Sequence, residues 1–107
     1  MIPGNMKQMG KLLAQAQKAQ EKMQEEIAAL RSTGAAGGGA VTATLDGKKN
    51  VVELTISPEV LEDKDAQLVA DLVLAATAEA SRQIDAEIER RMGALGSMLG
   101  LPPGFGL

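Results

Sequence analysis

The spacing of apolar residues changes twice along this chain, and each change marks a new element. Met9, Leu12, Ala16, Met23, Ile27 and Leu30 recur at intervals of three, four or seven, the repeat of one helix face. Ala, Gln, Glu, Lys and Leu surround them without a proline or β-branched run. A helix is therefore predicted over 5–32, with Asn5 as its N-cap and Thr33-Gly34 as its stop. From Val41 the period becomes two. Val41, Ala43 and Leu45 alternate with Thr42 and Thr44, and Val52, Leu54 and Ile56 alternate with Glu53 and Thr55. Asp46-Gly47 between them is a hairpin-turn signal, so 41–56 reads as a β-hairpin. A lone two-stranded hairpin is marginal in water, so this one must lie on a helix or join another sheet.

Ser57-Pro58-Glu59 then has the form of a helix start, with a serine cap and a proline in the first turn, opening one short turn through Leu61. Helical spacing returns from about Asp65 to Leu95. Its stripe is Leu68, Leu72, Ala76, Ala80, Ile84, Ile88 and Met92, widened by Val69 and Val73. The small residues from Ala75 to Ala80 would let another backbone approach closely. The glycine-rich stretch 33–40 reads as a linker. It has none of the Gly-Lys-Ser/Thr context of a phosphate-binding loop. Residues 96–107 read as an irregular tail. The expected architecture is a single α+β domain over 1–107: a long N-terminal helix, a small antiparallel β-hairpin or sheet, and a long C-terminal helix.

Composition narrows the chemistry. The 107 residues contain no Cys and no His, and Phe105 is the only aromatic. Thiolate and imidazole catalysis, disulfides and nearly all zinc sites are thereby removed, and base recognition by aromatic stacking is disfavoured. No paired carboxylates have the spacing of a hydrolase, and the acids Glu59, Glu62, Asp63 and Asp65 lack the spacing of a calcium loop. No enzyme, cofactor, metal or small-molecule substrate is expected. No apolar run approaches the length of a membrane span, and no signal-peptide core is present, so a cytoplasmic protein without a membrane partner is expected.

Charge is distributed unevenly. The formal net charge is −3, yet residues 1–22 carry +3, residues 23–81 carry −6, and residues 82–107 balance. Within the first helix Lys7, Lys11, Lys18 and Lys22 fall in an arc of roughly 60° at about 100° per residue. That arc lies opposite the apolar stripe. One face is built to pack and the other to meet an anion. A 28-residue helix is also ~42 Å long, whereas a compact domain of this size has a radius of gyration near 13 Å. Two such helices and one hairpin cannot cover each other's stripes, so a homodimer with projecting helices is expected.

The order helix–hairpin–helix, the segment from Gln17 to Ile27, Thr33-Gly34, Asp46-Gly47, Ser57-Pro58 leading to Leu61-Glu62-Asp63, Asp71-Leu72-Val73 and Leu101-Pro102-Pro103-Gly104-Phe105 together resemble the YbaB/EbfC family of bacterial nucleoid-associated proteins. The likeness runs over residues 5 to 105. It implies a tweezers-like homodimer that binds duplex DNA at the nucleoid and has no catalytic residues. It also implies DNA contact through basic positions of the first and last helices, here Lys7, Lys11, Lys18 and Lys22 on the first and Arg82, Arg90 and Arg91 on the last. Lysine contacts to phosphate carry no base identity, so binding with low base specificity is expected. The rival reading is a helical adaptor or chaperone-like protein whose partner is another protein.

Overall fold

A computed structural model describes residues 3–98 and Gly100. Helix α1 (Pro3–Ala28) leads into a three-stranded antiparallel sheet, β1 (Arg31–Ala36), β2 (Val41–Asp46) and β3 (Val51–Ile56), in the order β1-β2-β3. A short helix α2 (Pro58–Glu62) and a long helix α3 (Ala66–Met98) complete the chain. The α+β layout is the expected one. Helix α1 begins at Pro3, ahead of Asn5, which therefore lies inside the helix and is not its cap; proline suits a first turn, where its missing N–H has no partner to lose.

The first strand was not expected. The sequence reading carries the helix through Ser32 and makes 33–40 a linker, whereas Arg31–Ala36 pairs residue for residue with β2, from Arg31↔Asp46 to Ala36↔Val41. Helix α1 closes with the Ala29 and Leu30 amides donating to Glu25 and Ile27 carbonyls. Gly34 is then no helix stop. It is a buried strand residue whose absent side chain lets α3 close onto the sheet: a Cβ there would overlap the Ala76 carbonyl oxygen and the Ala80 amide nitrogen. The approaching backbone anticipated at Ala75 to Ala80 is that of β1. The linker itself shrinks to the turn Gly37-Gly38-Gly39-Ala40, whose three glycines have φ of 64°, 70° and 94°, a run that residues with a Cβ rarely adopt.

The core is small and lies between β2 and α3. Val41, Ala43 and Leu45 face Ala76, Ala80 and Ile84, all at most 1% exposed. Leu30, Ala36, Ile56, Leu72, Val73 and Ile88 pack around them. Helix α3 covers β1 and β2 but not β3. Leu54 and Ile56 stand opposite Ala43 and Val41, hence on the α3 side of the sheet. Yet Val51, Val52 and Leu54 remain 45–51% exposed. The opposite face carries Thr33, Thr42, Thr44 and Thr55, with the Thr33 and Thr44 hydroxyls 2.7 Å apart.

The Asp46–Asn50 turn follows the sequence signal. Asp46 Oδ1 accepts the Lys48 and Asn50 amides, each at 2.9 Å, and Oδ2 accepts the Asn50 side-chain amide at 3.1 Å. The Asn50 bonds hold the Asp46 carboxyl below its usual range. Ser57 holds the N-cap position of α2 with Pro58 next, as expected, but its hydroxyl donates to the Glu59 carboxylate and makes no cap hydrogen bond to a helix amide. Asp65 caps α3, its Oδ1 accepting the Leu68 amide at 3.0 Å. Gly93 and Gly96 do not end this helix, which runs on to Met98. The tail residues 101–107 lie outside the described residues. The radius of gyration is 20.8 Å and the extents are 75 × 25 × 16 Å, far from the roughly 13 Å radius of a compact chain of this length.

Candidate nucleic-acid interface

The length of the molecule comes largely from α1. Its 26 residues span ~39 Å, and every residue from Met6 to Lys22 is exposed. Only the last turns touch the body. Ile27 and Leu30 are half-buried, and Gly47 in the β2–β3 turn packs so closely on the Ile27 carbonyl that no Cβ would fit there. The helix is an arm rooted at the sheet and free along most of its length. Lys7, Lys11, Lys18 and Lys22 follow one ridge of that arm. Among the described residues, none of the four takes part in an ion pair or side-chain hydrogen bond.

The three arginines on α3 are placed differently. Arg82 pairs with Glu79, and Arg90 meets Glu87 at 2.6 Å. Arg91 bonds Glu87 at 3.0 Å and lies 3.9 Å from Glu26 at the base of α1. These guanidinium groups pull the Glu87 carboxyl down to about 2, Arg90 most strongly and Arg91 next. Glu79 is likewise lowered by Arg82 and Gln83. Arg90 is raised in turn by Glu87. The seven basic residues thus form two groups, an unpaired ridge on the arm and a neutralised cluster on α3. Neighbouring glutamates foreshadow the arginine pairing. Nothing in the sequence indicated that Glu26 would reach α3 and not Lys22.

Two further lysines mark the arm's root. Lys48 lines an open groove with Glu21, Gln24, Glu25, Ile27 and Ala28. Lys49, with φ of 66°, reaches Asp85 of α3 at 2.6 Å. Five acids collect at the other end of the molecule. Ile56 pairs with Val41 at the sheet end from which α2 departs, whereas α1 enters at the Arg31↔Asp46 end. Glu59, Glu62, Asp63, Asp65 and Asp71 therefore sit beyond the far end of a sheet roughly 20 Å long. Among the described residues no three potential metal-ligating side chains converge, and no helix is long and apolar enough to cross a membrane.

Comparison with known proteins gives one consistent picture. The profile of the YbaB/EbfC DNA-binding family matches residues 3–99. A protein of Xylella fastidiosa (strain 9a5c) named nucleoid-associated protein is 43% identical over 110 aligned positions, covering 100% of this chain and 98% of that protein. A nucleoid-associated protein of Xanthomonas campestris pv. campestris (strain B100) is 45% identical over 107 positions, covering 97% and 96%. The crystal structure of an uncharacterized protein from Helicobacter pylori superposes with a TM-score of 0.62 at 27% identity, over 87% of this chain and 95% of that one.

Proposed function

Since this chain belongs to the YbaB/EbfC DNA-binding family, we propose that it is a non-enzymatic, nucleoid-associated protein of the cytoplasm. It binds double-stranded DNA through phosphates met by Lys7, Lys11, Lys18 and Lys22, with little base specificity. The observation that carries this reading is the unpaired lysine ridge on a projecting helix. Glu21, Glu25 and Glu26 offset Lys18 and Lys22 in part, whereas Glu59, Glu62, Asp63, Asp65 and Asp71 lie beyond the far end of the sheet, more than two Debye lengths from the arm at physiological salt, where that length is about 8 Å. A polyanion near the arm feels the lysines and little of the acidic pole. Arg82, Arg90 and Arg91 play a lesser part, because each shares its charge with a glutamate.

The active unit is a homodimer. The apolar, uncovered face of β3, at an unpaired sheet edge, supports this reading: such an edge is a template for a second chain unless something covers it. Two arms then offer eight lysines. Were all eight to neutralise phosphates, log K against log salt would fall with a slope near −7.

Fluorescence anisotropy with random duplex DNA across a salt series tests the proposal. Lys11→Glu combined with Lys18→Glu is expected to weaken binding at least tenfold and flatten the slope to about −3.5 or less, with the dimer intact by light scattering. Arg90→Ala should change affinity less than threefold. Unchanged affinity in the double lysine variant would remove the ridge from the mechanism. Binding indifferent to salt would favour the protein-adaptor reading.

A further inference from the structure

The lysine ridge meets an acid where the arm joins the body. Glu25 stands seven residues beyond Lys18, within about 20° of its line, and Glu21 lies to one side. Both carboxylates line the open groove between α1 and the β2–β3 turn, and Lys48 lines it from the turn. That turn is held in place. Asp46 Oδ1 accepts the Lys48 amide at 2.9 Å, and the Lys49 amide donates to the Asp46 carbonyl at 2.9 Å. Gly47 sits against the Ile27 carbonyl with no room for a Cβ. The backbone at Lys48 is therefore fixed relative to the arm. Other cations near this root are occupied. Arg31 donates to the Ala28 and Leu30 carbonyls at 3.2 and 2.8 Å, Lys49 meets Asp85, and Arg91 meets Glu87 and Glu26. Lys48 is exposed, and among the described residues its ammonium group enters no ion pair or hydrogen bond.

We infer that Lys48 is a further phosphate-binding residue, one that carries the cationic track from the arm onto the body of the protein. The inference rests on the proposed binding of DNA by the ridge and extends that site. Helix α1 has no cation left to offer here, because residues 23–30 hold Glu25 and Glu26 but no Lys or Arg. The hairpin supplies one instead. Ala28, which lines the groove with Lys48, lies six residues past Lys22, so the track lengthens by roughly 9 Å. Across the groove from Glu21 and Glu25, the Lys48 charge also offsets the repulsion those carboxylates exert on a phosphate passing the root. Phosphate contacts fix register and orientation and carry no base identity. A contact on the hairpin therefore orients the sheet, and not the arm alone, against the duplex. With Lys48 of both protomers added to the two ridges, the limiting salt slope becomes about −9.

Anisotropy titrations on one random duplex across one salt series compare the parent with Lys48→Ala, Lys49→Ala, and Lys48→Ala combined with Glu25→Gln. Lys48→Ala keeps the amide that Asp46 holds and removes only the charge. It is expected to weaken binding roughly tenfold at low salt and to make the slope shallower by about 1.8, or about 0.9 for each protomer's lysine. Lys49→Ala should leave the slope as it is, since Asp85 already holds that charge. Adding Glu25→Gln to Lys48→Ala should recover part of the affinity and none of the slope, because a phosphate contact is still missing. An unchanged slope in Lys48→Ala, or an equal loss in Lys49→Ala, would overturn the inference. So would full recovery of the slope with Glu25→Gln, which would make Lys48 a partner of Glu25 alone. In each of those outcomes a loss with Lys11→Glu and Lys18→Glu would still stand for the ridge, whereas a parent whose binding ignores salt would sink the ridge and this extension together.

Discussion

A side chain at position 34 would collide with backbone, not with a side chain that can swing aside. The Ala76 carbonyl and the Ala80 amide stand where its Cβ would be, and both belong to a continuous helix. Gly34→Val is therefore expected to destabilise the fold by about 3 kcal/mol or more, read as a lowered midpoint in chemical denaturation. A midpoint within experimental error of the parent would show that α3 can retreat from the sheet without loss. Gly38 and Gly39 differ from this case. They have open space around them and are required by their positive φ alone. The same residue type thus answers two separate demands, close approach in a strand and left-handed backbone in a turn.

Among the elements, α3 carries a charge cluster that reaches the root of the arm. Glu87 holds Arg90 and Arg91, and Arg91 faces Glu26. Because the folded chain lowers the Glu87 carboxyl from 4.5 to about 2, its ionised form is the one favoured by folding. The contribution is whole above about pH 4.5 and fades as the pH falls toward 2. Glu87→Gln should accordingly be less stable than the parent at pH 7 and equal to it near pH 2, compared by urea denaturation at each pH. A difference that persisted at pH 2 would place the effect of Glu87 in packing and not in charge. The pair has an exposed setting, so high salt should shrink the difference at pH 7 as well.

At the scale of the whole molecule, the 75 Å length separates a cationic arm from an anionic pole. The sheet between them is finished on only part of one face. Val51, Val52 and Leu54 stay open where α3 does not reach. Replacing Leu54 with Asp puts a charge in the middle of that patch but touches none of the buried core. The expected outcome is a monomer by analytical ultracentrifugation at micromolar concentration, with helix content by circular dichroism within a few per cent of the parent. A Leu54→Asp protein that stays dimeric would move the subunit contact to another surface. Loss of the dimer should also weaken DNA binding, because one arm releases half as many counterions as two.

Local rules were enough for much of this chain. Period-two alternation set β2's inward residues Val41, Ala43 and Leu45, and helical spacing set Ala76, Ala80 and Ile84, because each pattern reflects backbone geometry within its own segment. The lysine ridge was legible for the same reason. The strand Arg31–Ala36 was not, since Gly34, Ala35 and Ala36 have little strand preference of their own. They pair with β2 because a long helix of small residues needs a flat, narrow surface to meet. The pairing of the arginines was legible too, because Glu79 and Glu87 stand three or four residues from Arg82, Arg90 and Arg91 on the same helix. Only the tertiary structure decided that Arg91 also meets Glu26, far away in sequence, because α3 returns to the root of α1.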